Sequence, residues 1–142
     1  MSAPFVHQAG CVACHGRGLL IEGAPGAGKS SLALALIDRG ARLVGDDGVT
    51  LSVIGGRLIA APPPQTRGLI EVRNLGILPM PVVETVPVAL LLRLSHDAPR
   101  FVETAAVAVI CGVAVPVITL WPDSPVVALR AELALSRYGL IV

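Results

Sequence analysis

The segment Gly23-Ala24-Pro25-Gly26-Ala27-Gly28-Lys29-Ser30 fits the spacing G-x-x-x-x-G-K-[ST], the pattern of a loop that wraps its backbone around phosphate groups. Each fixed position has a separate physical job. Gly26 and Gly28 permit tight turns that aim successive N–H groups inward as an anion nest. The Lys29 ammonium would reach the β- and γ-phosphates of a nucleotide, and the Ser30 hydroxyl would ligate Mg²⁺. The frame also fits. Leu19-Leu20-Ile21 reads as a short buried strand, and Ser31 to Ile37 reads as a helix whose N-terminus adds partial positive charge to the site. The expected cradle runs from Gly23 through Ser31. A generic glycine-rich turn would need neither the Lys-Ser pair nor the strand–loop–helix frame.

A chain of 142 residues is long enough for one genuine core and too short for two, so residues 1–142 are expected to form a single domain. Hydrophobic residues make up 54% and charged ones 15%, which argues for a buried sheet and against disorder. A net charge of +1 supplies no broad basic face for nucleic acid. Phosphate affinity must come from a local site. The uncharged stretch from Thr104 to Trp121 approaches the length of a spanning helix. It is interrupted by Gly112 and Pro116 and rich in valine and isoleucine, which predicts two adjacent strands instead. No basic start followed by an apolar run opens the chain. The expectation is a cytoplasmic protein with no membrane partner.

Cys11-Val12-Ala13-Cys14-His15 matches the C-x-x-C-H pattern of c-type haem attachment, with Met80 as a conceivable axial ligand. The competing reading is that Cys11 and Cys14 are small apolar residues near a strand, reduced in the cytosol. That reading is favoured because a haem here would crowd the phosphate loop. No second ligand pair stands at a zinc spacing. Cys111, within an apolar stretch, is expected in the core.

The remaining elements follow from pattern. The first helix should end at Asp38-Arg39-Gly40, with glycine suited to the position after the cap. Arg42 to Gly45 reads as a strand running into Asp46-Asp47. Leu51–Ile54, Gly55-Gly56 and Arg57–Ala60 read as a hairpin with a two-residue turn. Pro62-Pro63-Pro64 stiffens its exit. Gly68 to Ile77 reads as a short strand entering a glycine-bounded loop. Val88–Leu92, Ala106–Ile110 and Val115–Leu120 are further strands, and Val126–Ser136 a closing helix after Pro125. Strands thus greatly outnumber helices, and hairpins replace helical crossovers. The predicted fold class is α/β: a mixed, partly antiparallel sheet with an inserted strand–P-loop–helix unit and a C-terminal helix.

Three blocks together, Gly23–Ser30, Arg39–Asp47 and Gly68–Ile77, resemble the catalytic domain of HPr kinase/phosphorylase in order and in spacing. The resemblance covers about residues 6–120 and is nearest to short forms lacking the N-terminal domain. It implies a serine kinase that uses ATP and Mg²⁺ to phosphorylate the small phosphocarrier HPr or a relative. Many such enzymes also remove that phosphate by phosphorolysis, and long members assemble as hexamers, so a homo-oligomer is expected.

A serine hydroxyl is a poor nucleophile, and a nearby carboxylate could accept its proton as the new phosphorus–oxygen bond develops. Asp46 and Asp47 stand where a Walker-B-like carboxylate would face metal and γ-phosphate. Adjacent strand residues face opposite ways, so the two should differ in task. A solvated acidic turn is the bland alternative. By resemblance, Asp47 is the proton acceptor and Glu71 a magnesium ligand beside Ser30. Arg73, two residues on, would share a strand face with Glu71 and line the phosphate site; an exposed ion-pairing face is the alternative. His7 resembles a family histidine that orients the catalytic aspartate, with His15 left as a competitor for that place. Arg100 falls near a family arginine in a poorly matching context. Two departures stand out. Pro25 replaces a usual serine, removing a hydroxyl and an N–H from the cradle. Leu120-Trp121-Pro122-Asp123-Ser124-Pro125 lacks the basic segment associated with phosphate removal. No arginine-rich lid suggests a small-molecule kinase, although a small-molecule P-loop kinase and a non-catalytic ATP-binding module remain the competing readings.

Overall fold

Left-handed turn residues placed between apolar runs set much of the architecture in the computed structural model, which describes residues 4–142. The chain begins with strands β1 (Phe5–His7), β2 (Gly10–Cys14) and β3 (Arg17–Gly23), followed by helix α1 (Lys29–Asp38). Then come β4 (Arg42–Gly45), β5 (Val49–Ile54), β6 (Arg57–Ala61), β7 (Leu69–Val72) and β8 (Gly76–Pro79). Strands β9 (Val86–Leu94), β10 (Ala106–Ile110) and β11 (Val113–Leu120) precede helix α2 (Val127–Tyr138). His15-Gly16, Gly55-Gly56 and Cys111-Gly112 all have positive φ, the combination that closes two-residue hairpins with the proper twist. They join β2 to β3, β5 to β6 and β10 to β11.

The sheet is mixed, as expected. Its order is β1-β5-β6-β9-β3-β2-β4, and β11 joins β9 while carrying β10 at its outer side. Long β9 is the hub. Its first residues pair antiparallel with β6, its last four pair parallel with β11, and β3 runs parallel along its other side. The remaining pairings between named strands are antiparallel. Pro116 is tolerated inside β11 because β9 pairs only from Val117 onward, so no ladder partner on that side lacks a donor.

Side-chain alternation along these strands feeds two cores. Leu19 and Ile21 of β3 face α1 and α2, meeting Leu32, Leu36, Ala131 and Leu135. Leu20 faces the other way, against Val44, Leu51, Leu58 and Leu91 under the β5–β6 wing. The β3–β9 register slips after Gly18, skipping Ala89, and for that reason Ala89 and Leu90 both lie on the helical side. α1 closes as a Schellman motif: Gly40 N–H donates to the Ile37 carbonyl at 3.0 Å and Ala41 N–H to Leu36 at 2.9 Å, with Gly40 at φ 108°. No helix among the described residues is long and apolar enough to cross a membrane.

Three expectations need correction. Cys111 is exposed, because it is the first residue of a hairpin turn with φ 51°; its apolar neighbours are strands, but the turn between them faces water. Gly68–Ile77 is a hairpin of β7 and β8 rather than a strand entering a loop. Arg73 therefore sits in the turn after β7, not on the strand. The C-x-x-C pair lies on β2, where residues three apart point to opposite faces. Cys11 packs in the core under the β5–β6 wing and Cys14 in the helical core, so the two thiols cannot converge on one haem.

Burial raises both of those thiols: Cys14 is pushed up to about 11 and Cys11 higher still. The unfolded chain ionises at an ordinary thiol value near 8.5 to 9 and so binds fewer protons above it. Stability from these burials is complete below that value and declines as pH rises toward 11, by about 1.4 kcal/mol per pH unit for each thiol. Denaturant midpoints taken across this window should fall accordingly. At mildly alkaline pH a thiol reagent should label Cys111 quickly, and all 3 cysteines only after unfolding. Rapid native labelling of Cys11 or Cys14 would contradict the packing.

Candidate active site

The glycine loop takes its shape from its own residues. Ala27 N–H donates to the Ala24 carbonyl at 2.9 Å, with Pro25 and Gly26 at the corner and Gly26 at φ 80°. This is the signature of a type II turn, in which proline suits the first corner and glycine the second. Pro25 thus presets the bend where the sequence suggested only the loss of a hydroxyl and an N–H. Gly28, at φ 102°, caps α1 without a side-chain hydrogen bond, leaving the first-turn N–H groups without intrahelical partners. The Lys29 ammonium folds back on the loop, donating to the Gly23 carbonyl at 2.9 Å and to Ala24 at 3.3 Å.

Opposite the loop lies the acidic turn after β4. The Ser30 hydroxyl donates to Asp46 Oδ1 at 2.6 Å. The other oxygen, Oδ2, accepts the backbone N–H of Glu71 at 2.9 Å. One carboxylate thereby joins the helix start, the β4 turn and β7. Asp47 adopts φ 56°, a left-handed conformation that aspartate tolerates better than most residues. The two acids therefore leave the chain in different backbone states, and both line the same pocket.

That pocket has a volume of about 440 Å³. Gly23, Pro25, Gly26, Gly28, Lys29, Ser30 and Ser31 line it from one side, and Asp46, Asp47, Glu71 and Arg73 from the other. Of the candidate site residues singled out in the sequence, Ala24, Ala27, His7, His15 and Arg100 are outside the lining. His7 donates instead to Glu22 Oε2 at 3.3 Å, and Glu22 Oε1 lies 3.5 Å from Arg93 Nε. His15 sits at the hairpin turn before β3, the end remote from the loop. Arg100 is exposed in the segment after β9. Gln8 lines the pocket, and sequence reasoning missed it: an exposed glutamine after a short edge strand carries no local signal.

No cluster of three or more His, Cys, Asp or Glu residues suited to a metal exists among the described residues. Mg²⁺ does not require one. It is commonly held by one or two carboxylates together with phosphate oxygens and water. Ser30, Asp46 and Glu71 line one pocket, so a hydroxyl and two carboxylates are the side-chain oxygens available there to such an ion.

Fold and pocket together define a class: mixed-sheet α/β proteins in which a glycine loop, a helix start and an acidic turn share one cleft. A sequence profile of the HPr Serine kinase C-terminal domain matches residues 2–84, and the chain belongs to this family. An HPr kinase/phosphorylase of Clostridium tetani is 52% identical over 67 residues, covering 47% of the chain and 22% of that protein. One of Clostridium beijerinckii is 54% identical over 63 residues, covering 44% and 21%. The matches thus span about a fifth of the length of these curated relatives. The structure of the Hpr(Ser) kinase/phosphatase from Coxiella burnetii superposes with a TM-score of 0.81 at 28% identity, covering 93% of this chain and 89% of the other.

Asp46 depends on a close backbone approach just before it. A Cβ built on Gly45 would meet the Gly48 carbonyl oxygen at 1.9 Å, whereas one on Gly48 meets nothing nearer than 3.9 Å. Gly45→Ala should destabilise the fold by about 1–3 kcal/mol, and Gly48→Ala should stay near wild type. Thermal unfolding of the two variants checks this; equal melting temperatures would refute the close approach.

Proposed function

We propose that this chain is the catalytic domain of an ATP-dependent serine kinase acting on a small HPr-type phosphocarrier, residues 1–142 forming one P-loop unit. The observation that carries the reading is the 2.6 Å bond from Ser30 to Asp46. It joins the two halves expected of a phosphate-loop enzyme, a Lys-Ser pair at a helix start and a strand-end carboxylate 16 residues away.

In this reading the backbone from Gly23 to Ser31 cradles the phosphates of ATP. Lys29 leaves the Gly23 and Ala24 carbonyls to contact the β- and γ-oxygens, exchanging two neutral acceptors for charged ones. Ser30 and Glu71 would hold Mg²⁺, which when bound would neutralise phosphate charge, and Asp46 orients Ser30. Arg73 offers a further cation to the transferred group. Asp47 takes the proton from the carrier's serine hydroxyl as that oxygen bonds to phosphorus and the bond to the leaving ADP breaks. His7 acts from outside the pocket, through the Glu22 contact and the neighbouring Gln8. Leu120 to Pro125 carries no basic residue to hold inorganic phosphate, so phosphorolysis is expected to be much slower than the forward reaction. The domain is proposed to work in the cytoplasm and to associate with further copies of itself.

Incubation with ATP labelled on the γ-phosphate and a purified HPr-type protein tests the reading, the expected product being phosphoserine on the carrier. Binding of ATP without any transfer would instead favour a nucleotide-sensing module. Asp47→Asn should cut kcat by about 10²–10⁴-fold while nearly preserving ATP affinity; undiminished turnover would remove Asp47 from its role. Lys29→Ala should weaken ATP binding itself, as calorimetry would read, and unchanged affinity would refute the phosphate-loop assignment.

A further inference from the structure

The acids of the pocket gather on one flank of the loop. Asp46 and Asp47 follow β4, and β4 lies beyond β2 to one side of β3. If the terminal phosphorus sits at those acids, the other end of a nucleoside triphosphate extends across β3 toward the opposite flank. There β9 and β11 run parallel to β3, so the segments after all three strands emerge at one edge of the sheet. Register places Gly23 beside Leu94 and Leu94 beside Leu120. Two strand spacings, about 10 Å, therefore separate the start of the glycine loop from the end of β11.

The next residue is Trp121, the chain's single tryptophan, and it is 45% exposed. A half-exposed indole left to itself would sample several rotamers. This one is braced. The His96 ring, from the segment after β9, stands perpendicular to it, with centroids 5.7 Å apart and an interplanar angle of 87°. His96 Nε2 pairs in turn with Asp123 Oδ2 at 2.5 Å. Two separate segments at the sheet edge are thus tied together around an aromatic ring that still offers surface to solvent. Trp121 stands outside the acid-lined pocket, on the side where a base belongs once phosphates fill the loop.

We propose that Trp121, oriented by His96 and Asp123, is the stacking platform for the purine base of the nucleoside triphosphate. This rests on the phosphate-loop reading given above. Aromatic faces accept any base, so the platform supplies affinity with little discrimination between purines.

Because Trp121 is the only tryptophan, its emission reports contact directly. ATP and inorganic tripolyphosphate, which has the phosphates and no base, are titrated into the full chain and into Trp121→Ala and Trp121→Phe. ATP should quench the emission, and tripolyphosphate should leave it nearly unchanged. By calorimetry, Trp121→Ala should lose about 5- to 150-fold in ATP affinity and keep its tripolyphosphate affinity, which also shows that the fold survives. Trp121→Phe should recover most of the loss. Unaltered ATP affinity in Trp121→Ala, or an equal loss for both ligands, would overturn the platform. Failure of the unaltered chain to bind either ligand would overturn the phosphate loop itself, and the platform with it.

Discussion

One carboxylate holds the pocket together. Asp46 accepts the Ser30 hydroxyl with one oxygen and the Glu71 N–H with the other, so three segments far apart in sequence share a single anion. A hydrogen bond to an ionised acceptor is stronger than a neutral one, and a bidentate arrangement adds direction. Much of the surrounding fold serves to deliver this residue. β4 reaches the site by pairing with β2, and β2 is hairpinned to β3, which ends in the glycine loop. Gly45 allows the chain to fold tightly against Gly48 immediately before the acid. β7 then presents a backbone donor instead of a side chain, so the contact constrains where β7 lies for any residue at position 71 except proline.

The parallel trio within a largely antiparallel sheet has a similar logic. Parallel strands send their following segments to the same edge, and ligand sites in open α/β sheets lie outside such carboxyl ends. β3, β9 and β11 do this here with few residues, because β9 is shared between two parallel partners. Antiparallel hairpins build the rest without helical crossovers. The two helices can then both pack on one face, leaving the other to the β5–β6 wing.

Legibility in the sequence followed the range of the interaction. The loop Gly23–Ser30, the β5–β6 hairpin, β10 and the closing helix rest on local chemistry, and their sequence bounds agree with the structure to within about two residues. β2 was hidden because its cysteines and alanine imitate a metal motif more than a strand, and it is buried on both faces. The β7–β8 hairpin is less legible: its turn has Asn74 as the left-handed residue, at φ 74°, and a break there reads equally well as the start of a loop. Cys111 shows a related conflict: in Ile110-Cys111-Gly112-Val113 apolarity argues for burial while the glycine argues for a turn, and the turn prevails. Within the site, Lys29, Ser30, Asp46 and Asp47 were legible from spacing. The Ser30–Asp46 bond, the Glu71 backbone donor and Gln8 were not, because each depends on which strands become neighbours.

The same distinction explains how the resemblance to relatives is distributed along the chain. The family profile ends at residue 84, after every residue that lines the pocket, yet the Coxiella burnetii structure superposes over 93% of the chain. Residues beyond that point, β9 to α2, supply the hub strand, the outer hairpin and half of the helical layer. Their requirement is to be apolar on the proper faces, which many sequences satisfy. Residues before it must also place particular atoms, a hydroxyl against a carboxylate and a glycine under a carbonyl, and few sequences do. The segment around His96 and Trp121 falls in the permissive half but carries a specific ion pair and ring contact. Packing of the core asks for neither, since His96, Trp121 and Asp123 all lie outside both apolar clusters. A polar pair and an indole kept at the sheet's ligand-facing edge are better explained by what approaches that edge than by what lies beneath it.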